Sequence, residues 1–356
     1  MKMKMHNKHN IEELNDREKT ILRSVIQQFI ITASPVGSRN ITKKYEMGIS
    51  PATVRNIMAD LEESGYVNHP HTSAGRVPTD KGYRYYVDSL MELKKLKSSD
   101  KGLIKKSLKT EITETDEIFK ITSKLLSTIT NQLACVTYPD IESGIFEKLQ
   151  IISLTSTRLM VVISIKSGLV KTITLEIKST IKRNQLESVQ RVLNERLAGL
   201  RFTEIRKTFK DRFKDIDTKQ KPVIRLFIDS VDKIFKDDRK TDNLILTGAR
   251  NVIKQPEFEN PENFEGIIEL MEDKDIIIHI IEKSSEADQD NVFISIGREN
   301  EDIKMRDYSF ISKEYKFGET IGTLGIVGPK RMEYSRVVAI VDYIAKMLSE
   351  FLKNPN

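Results

Sequence analysis

Three residues in the stretch Ser50 to Arg76, SPATVRNIMADLEESGYVNHPHTSAGR, have the types and spacing to read DNA bases. A guanidinium offers two parallel donors that match O6 and N7 of guanine, and a carboxamide matches N7 and the amino group of adenine. Arg55 and Asn56 supply these two groups side by side. Ala52, almost one turn earlier, carries a methyl that can meet the methyl of thymine. All three fall near the N-terminal end of a helix, the end from which a recognition helix reads bases. Ser38, Arg39, Lys43, Ser50, Thr53 and Arg76 are hydroxyls and cations suited to phosphate oxygens. Arg76 lies in a turn that could reach phosphate or a narrow minor groove. By itself the helix also fits the role of an amphipathic packing element in a small core.

Positioning these residues needs a helix held by its other face. Ser50 suits an N-cap and Pro51 the first helical position. Val54, Ile57, Met58 and Leu61 then recur at helical spacing as one buried stripe, and Gly65 ends the run. Upstream, Asn15 or Asp16 caps a helix to about Ile31, with Ile21, Leu22, Val25, Ile26 and Phe29 inside. Ser34, Pro35 and Gly37 form a turn, and Ser38 caps a short second helix to Tyr45. A turn at Met47–Ile49 containing Gly48 joins it to the third, which is a helix-turn-helix layout. Tyr66-Val67 and Val77-Pro78 read as two short strands around the polar turn His69–Arg76. Thr79 with Asp80 then caps a fourth helix with Tyr83, Tyr86, Val87 and Leu90 inside, leaving the side of Tyr85 open. Helix-turn-helix plus hairpin is a winged helix. Residues 1–90 hold 13 Lys+Arg and 10 Asp+Glu. The cations Arg39, Lys43, Lys44, Arg55 and Arg76 fall on helices two and three and the wing, whereas Glu62 and Glu63 fall at the far end of the third helix.

Other chemistry finds little support. His69 and His71 lack partner cysteines and read as polar wing residues. There is no P-loop, HExxH, GxSxG or Cys/His metal spacing, so the expectation is a non-enzyme without metal or cofactor. The glycines Gly322, Gly325 and Gly328 lack the G-x-G-x-x-G phosphate spacing and imply close packing and turns. The one cysteine, Cys135, sits in an apolar context and reads as packing. Having a single cysteine points to a reducing compartment. The basic N-terminus is expected to be disordered through residue 10 and is not followed by an apolar run, so it is not read as a signal peptide. No apolar run is long enough to span a membrane, and a cytoplasmic location follows. The net charge of +6 favours a polyanionic partner.

Residues 14–88 strongly resemble the N-terminal domain of the HrcA heat-inducible transcription repressors. The resemblance rests on LNDREKTILRSVIQQFI, PVGSRNITKKY and ISPATVRNIMADLEESGYVNHPHTSAGRVPTDKGYRYYVD. Near the C-terminus GTLGIVGPKRMEY matches a second hallmark of that family. The resemblance implies a repressor that binds, as a homodimer, an inverted-repeat operator upstream of chaperone operons. It also implies release on heat stress, with a GroEL-type chaperonin modulating the active fraction. The fold it implies is a GAF-like domain into which a dimerisation domain is inserted.

Beyond residue 90 the pattern is α+β. Lys94–Lys109 holds seven Lys and one acidic residue, Asp100, and reads as a solvated connector helix with Leu96, Leu103, Ile104 and Leu108 on its apolar side. A helix from Glu111 to Asn131 follows. Leu149–Leu154, Leu159–Ile165 and Val170–Ile177 read as strands and Leu186–Leu197 as a helix. Val223–Phe235 and Phe264–Met271 read as helices and Leu244–Leu246 as a short strand. Asp275–Glu282 fits helix or buried strand, and the resemblance favours helix. His279, in that apolar run, reads as a core or interface residue. Strands at Val292–Ile296, Tyr308–Ser312 and Thr323–Val327 precede a helix from Arg331 to Leu352. Residues 254–302 hold 4 Lys+Arg and 15 Asp+Glu, a surface that phosphate would repel. The expected domains are a winged helix at 1–92, a linker helix and first GAF-like part at 93–198, an acidic dimerising insert at 199–302, and the second GAF-like part at 303–356. The alternatives are a metabolite sensor working through the GAF-like domain and a scaffold whose winged helix binds protein.

Overall fold

The fold begins where its first helix is capped. The Asn15 side chain accepts from the amides of Arg17 and Glu18 while Glu18 reaches back to the Asn15 amide, a complete capping box. The computed structural model describes residues 13–45, 48–70, 75–108, 115–177, 181–216, 221–236, 243–285 and 291–353. The N-terminal ten residues, the turn at Met47, the wing tip with His71 and Ser73, and the start expected at Glu111 lie outside them.

The first elements follow the expected order. They are α1 (Asp16–Thr32), α2 (Ser38–Tyr45), α3 (Pro51–Glu63), β1 (Val67–Asn68), β2 (Val77–Pro78) and α4 (Asp80–Tyr85), which continues as a π-turn over Tyr86–Leu90. β1 and β2 pair antiparallel. Ile21, Leu22, Val25, Ile26, Ile41, Val54, Met58 and Leu61 are buried together with Tyr83, Tyr85, Tyr86 and Leu90. Each large side chain removed from water contributes about 1.5–3 kcal/mol, so this small core is held chiefly by its apolar face. Tyr85, the residue left open, is buried edge-on to Tyr66 at 5.3 Å and cannot stack on a base.

α5 (Ser98–Leu108) and α6 (Thr115–Thr130) lead to β3 (Leu133–Thr137), a strand the pattern did not reveal because every residue through Val136 is buried and nothing alternates. β4 (Phe146–Thr155), β5 (Arg158–Ile165) and β6 (Val170–Glu176) form a separate three-stranded antiparallel sheet. α7 (Arg183–Leu197), α8 (Phe202–Arg212), α9 (Lys221–Asp229) and α10 (Val231–Phe235) cover one of its faces. The expected helix 223–235 is broken at Ser230, and α8 was not anticipated although Phe202, Ile205 and Phe209 carry its stripe.

The chain then returns to the strand system of β3. β7 (Leu244–Thr247), α11 (Ala249–Val252), α12 (Pro261–Glu272), α13 (Lys274–Ser285), β8 (Phe293–Ile296), β9 (Tyr308–Phe317), β10 (Thr320–Pro329) and α14 (Tyr334–Lys353) complete the order. Their five-stranded sheet runs β7-β3-β10-β9-β8. Alternation along β9 places both its faces in protein. Tyr308 and Phe310 join the core built with α12 and α13, while Ser309 and Lys313 bond to Tyr334 and Asp342 of α14. Asp275–Glu282 is helical, as the resemblance favoured. His279 is exposed on that helix and is not a core residue, because Ile276, Ile277, Ile280 and Ile281 occupy the inward positions.

The mixed α+β, multidomain class is the one expected, but the compact units divide elsewhere. One comprises residues 1–136, 244–314 and 323–347, and the other 137–243, 315–322 and 348–356. The expected boundaries at 198/199 and 302/303 therefore do not follow the packing. The apolar face of the 146–176 strands packs against α7–α10, so both sides of residue 199 share one core, in which Phe202 and Phe235 meet edge-on at 5.3 Å. The acidic segment 254–302 belongs instead to the unit that contains the winged helix.

The glycine run in β10 is a packing device. A Cβ on Gly325 would stand 2.8 Å from the Ile311 carbonyl oxygen, and one on Gly328 would strike the Gln132 side chain. Cys135 is buried in the β3 core, and burial pushes its thiol up to about 12. Reactivity needs the thiolate, so at pH 8 native protein should leave Ellman's reagent unreacted, with one thiol appearing on denaturation. The raised value means that the buried thiol costs no stability below its unfolded value of roughly 8.5. Stability should fall as pH rises through that value toward 12, which urea melts at pH 7 and pH 10 can compare for wild type and Cys135→Ser.

Candidate nucleic-acid interface

α3 is seated by one side and bare on the other. Val54, Met58 and Leu61 are buried and Ile57 half-buried, while Ala52, Arg55 and Asn56 are exposed. The structure thus brings the three expected base-reading residues onto one open patch. Arg55 makes no ion pair among the described residues. The helix starts as the sequence implied. The Ser50 Oγ accepts from the Thr53 amide at 3.1 Å and lies 3.0 Å from the Thr53 hydroxyl. Two of the three expected phosphate hydroxyls, those of Ser50 and Thr53, are therefore engaged in the cap, on the end of α3 whose free amides carry partial positive charge. Gly65 takes φ +76° to turn the chain into the wing.

α2 carries the other phosphate candidates. Arg39 and Lys43 are exposed and Ser38 half-buried at the helix start. The carbonyl of Ser38 accepts from Thr42. Lys44 donates to Gln28 of α1 at 2.6 Å.

Arg76 is placed differently from the expectation. Its side chain is only 22% exposed and its guanidinium pairs with Glu62 at 2.7 Å. The His69 Nδ1 meets the same carboxylate. The backbone of Arg76 also exchanges hydrogen bonds with Val36 at 2.8 and 2.9 Å. Arg76 thus closes the wing onto the end of α3 and the α1–α2 turn, and holding a phosphate would cost it that pair. The sequence placed Glu62 and Glu63 away from DNA but did not show that Glu62 is the partner of Arg76, because the two are joined only through the hairpin.

A cleft of about 880 Å³ opens beside α1 and the start of α14. It is lined by Arg23, Lys44, Lys94, Lys254, Arg331 and Arg336 among others. Four of these cations pair with Glu92, Glu333, Glu257 and Asp100 and one with Gln28, so the chain itself answers most of the charge.

A helix-turn-helix closed by a hairpin, with an unencumbered Arg–Asn pair on its third helix, defines a winged-helix regulator. The family profile described as HrcA protein C terminal domain matches residues 116–338. The heat-inducible transcription repressor HrcA of Chlorobium phaeobacteroides (strain BS1) is 40% identical over 348 residues, spanning 96% of this chain and 99% of that one. Its namesake in Chlorobaculum tepidum is 39% identical over 98% of this chain and 100% of its own. This chain belongs to the HrcA family of heat-inducible transcription repressors, a regulatory and not a catalytic family. A crystal structure described as a hypothetical protein shares the fold, with TM-score 0.56 and 23% identity over 96% of this chain and 99% of that chain. No helix among the described residues is long and apolar enough to cross a membrane.

Two substitutions separate cap from wing. Ser50→Ala should cost about 1 kcal/mol of winged-helix stability by removing the cap, read by denaturant melts of the full chain. Arg76→Met should lower stability too, since it leaves Glu62 with His69 alone, yet change DNA affinity little once both proteins are compared below their transitions.

Proposed function

We propose that the chain represses transcription by binding, as a homodimer, an inverted-repeat operator in double-stranded DNA upstream of chaperone operons. The observation that carries this reading is the exposed Ala52, Arg55 and Asn56 patch on a helix whose opposite side is buried. Arg55 and Asn56 read guanine and adenine edges, and Ala52 meets a thymine methyl. Ser38, Arg39, Lys43, Ser50 and Thr53 hold phosphates, and Arg76 serves to shape the wing. Repression ends on heat stress, and a GroEL-type chaperonin sets the active fraction in the cytoplasm. Marginal stability supplies a physical route, because a folded fraction that falls with temperature can be restored by a folding assistant.

A two-fold operator calls for a two-fold protein. We place the dimer contact on the unit 137–243, not on the acidic segment. The face of its sheet that the described residues leave open carries exposed Ile152, Leu154 and Val170 and half-buried Met160 and Val162. Ile152 and Met160 stand directly opposite each other across β4 and β5. An apolar sheet face of this kind gains about 25 cal/mol per Å² when covered.

A gel shift with an inverted-repeat operator and a scrambled duplex of equal length should show selective binding that weakens steeply with salt. Equal affinity for the two would sink the reading. Arg55→Ala should cost about 1–3 kcal/mol on the operator and little on the scrambled duplex. A uniform loss would restrict Arg55 to phosphate contact. Ile152→Lys with Met160→Lys should give monomers by light scattering, and persistent dimers would move the interface elsewhere.

A further inference from the structure

The KRMEY run after β10 is tied to the winged helix by its side chains. The Arg331 side chain is 13% exposed. Its Nη1 donates to the Ile30 carbonyl at 2.6 Å and its Nη2 to Glu257 at 3.0 Å. The last turn of α1 contains no basic residue of its own. Carbonyls at a helix C-terminus lack partners and carry partial negative charge. Arg331 therefore supplies, from outside the winged helix, the cation that α1 lacks.

Two further contacts join α4 to the segment around β8. Arg84 donates to Glu299 at 2.7 Å, to the Ile294 carbonyl at 2.8 Å and to Asp88 at 3.1 Å. Burial opposes its charge, but the bonds and fields of Glu299 and Asp88 outweigh that and hold it protonated. The Asp80 carboxylate accepts from the Arg298 amide at 3.0 Å and forms an ion pair with Lys330 at 3.1 Å. This approach requires Gly297, at φ +56°, since a Cβ there would overlap the Asp80 carboxylate. Tyr83 and Tyr334 complete the contact with ring centres 5.8 Å apart.

These are directional, partly buried contacts on two sides of the head. A head hanging from a flexible connector would need none of them. We propose that Arg331, Arg84, Glu299 and Asp80 dock the winged helix at one fixed orientation on the five-stranded sheet body, and that this docking sets the operator half-site spacing the dimer accepts. They are positioning residues that touch no base. The inference rests on the dimeric-operator reading for its DNA consequence and on the contacts alone for the docking.

The test uses the full-length chain in two measurements. Spin labels at Ala59→Cys and Ile303→Cys, both exposed sites, report the distance from α3 to the sheet body by pulsed electron resonance, with unlabelled protein added in excess to suppress signals between subunits. Cys135 is buried and stays unlabelled. Wild type should give one narrow distance, and Arg331→Met and the milder Glu299→Gln should broaden it. In parallel, affinity is measured for operators whose half-sites are separated by the native spacing and by half a helical turn more. Wild type should lose about tenfold or more on the half-turn insertion, because the half-sites then face opposite sides of the duplex. The two variants should discriminate by no more than about threefold while binding a single half-site as wild type does. A broad wild-type distance overturns the docking. Unchanged spacing discrimination in a variant whose distance has broadened overturns the spacing role. A wild type indifferent to operator sequence overturns the operator reading itself, whatever the distance measurement gives.

Discussion

On the proposed operator-binding reading, all else depends on holding α3 firmly by one side. A recognition helix is useful only if its reading residues are solvated until the groove replaces the water, and an isolated helix of this length is barely stable. Val54, Met58 and Leu61 resolve that conflict by burying the inner stripe against α1 and α2. The outer residues are then free to be chosen for hydrogen bonding. The cap from Ser50, the left-handed Gly65 and the Arg76–Glu62 closure all fix the ends of the same element.

The charge distribution follows a similar division. The uncompensated cations of α2 and α3 face outward, whereas Arg76, Arg84 and Arg331 are committed to carboxylates within the fold. The acidic segment 254–302 is therefore more than a repelling surface. Glu257 and Glu299 from it are the partners that let half-buried guanidiniums bind backbone carbonyls of Ile30 and Ile294. A charged pair of this kind adds little net stability against an apolar isostere, but it fixes geometry, and breaking one side is costly.

The winged helix was legible because its signals are local. Caps, turn glycines and helical stripes all act within a few residues, and the elements from Asn15 to Leu90 fall close to where they were read. The exposure of Ala52, Arg55 and Asn56 was legible for the same reason. Local pattern could not show that the strands near 150–177 and those near 308–329 belong to different sheets, since that depends on which helices cover them. Nor could it show β3, whose uniform burial erases alternation, or the partners of Arg76, Arg84 and Arg331, which come from distant positions. The glycines of β10 were read correctly as close packing because their spacing lacks the phosphate pattern, but the groups they admit, Ile311 and Gln132, could be known only from the fold.

The pairing of β3 with β10 has a consequence for how the protein is made. β3 lies inside its sheet between β7 and β10, and its register partners Leu324–Val327 lie far downstream of it and are made long after it. The winged-helix elements are contiguous in sequence and can fold as they emerge. The apolar strand Leu133–Val136 must wait for β7, from residue 244, to cover one edge and for β10, from residue 320, to cover the other. Long-range pairing of this sort is slow and leaves sticky edges available to other chains in the interval. Synthesis thus passes through a stage in which the winged helix is finished while β3 still lacks its β10 partner, so the nascent chain carries an unpaired apolar strand edge after its head is complete.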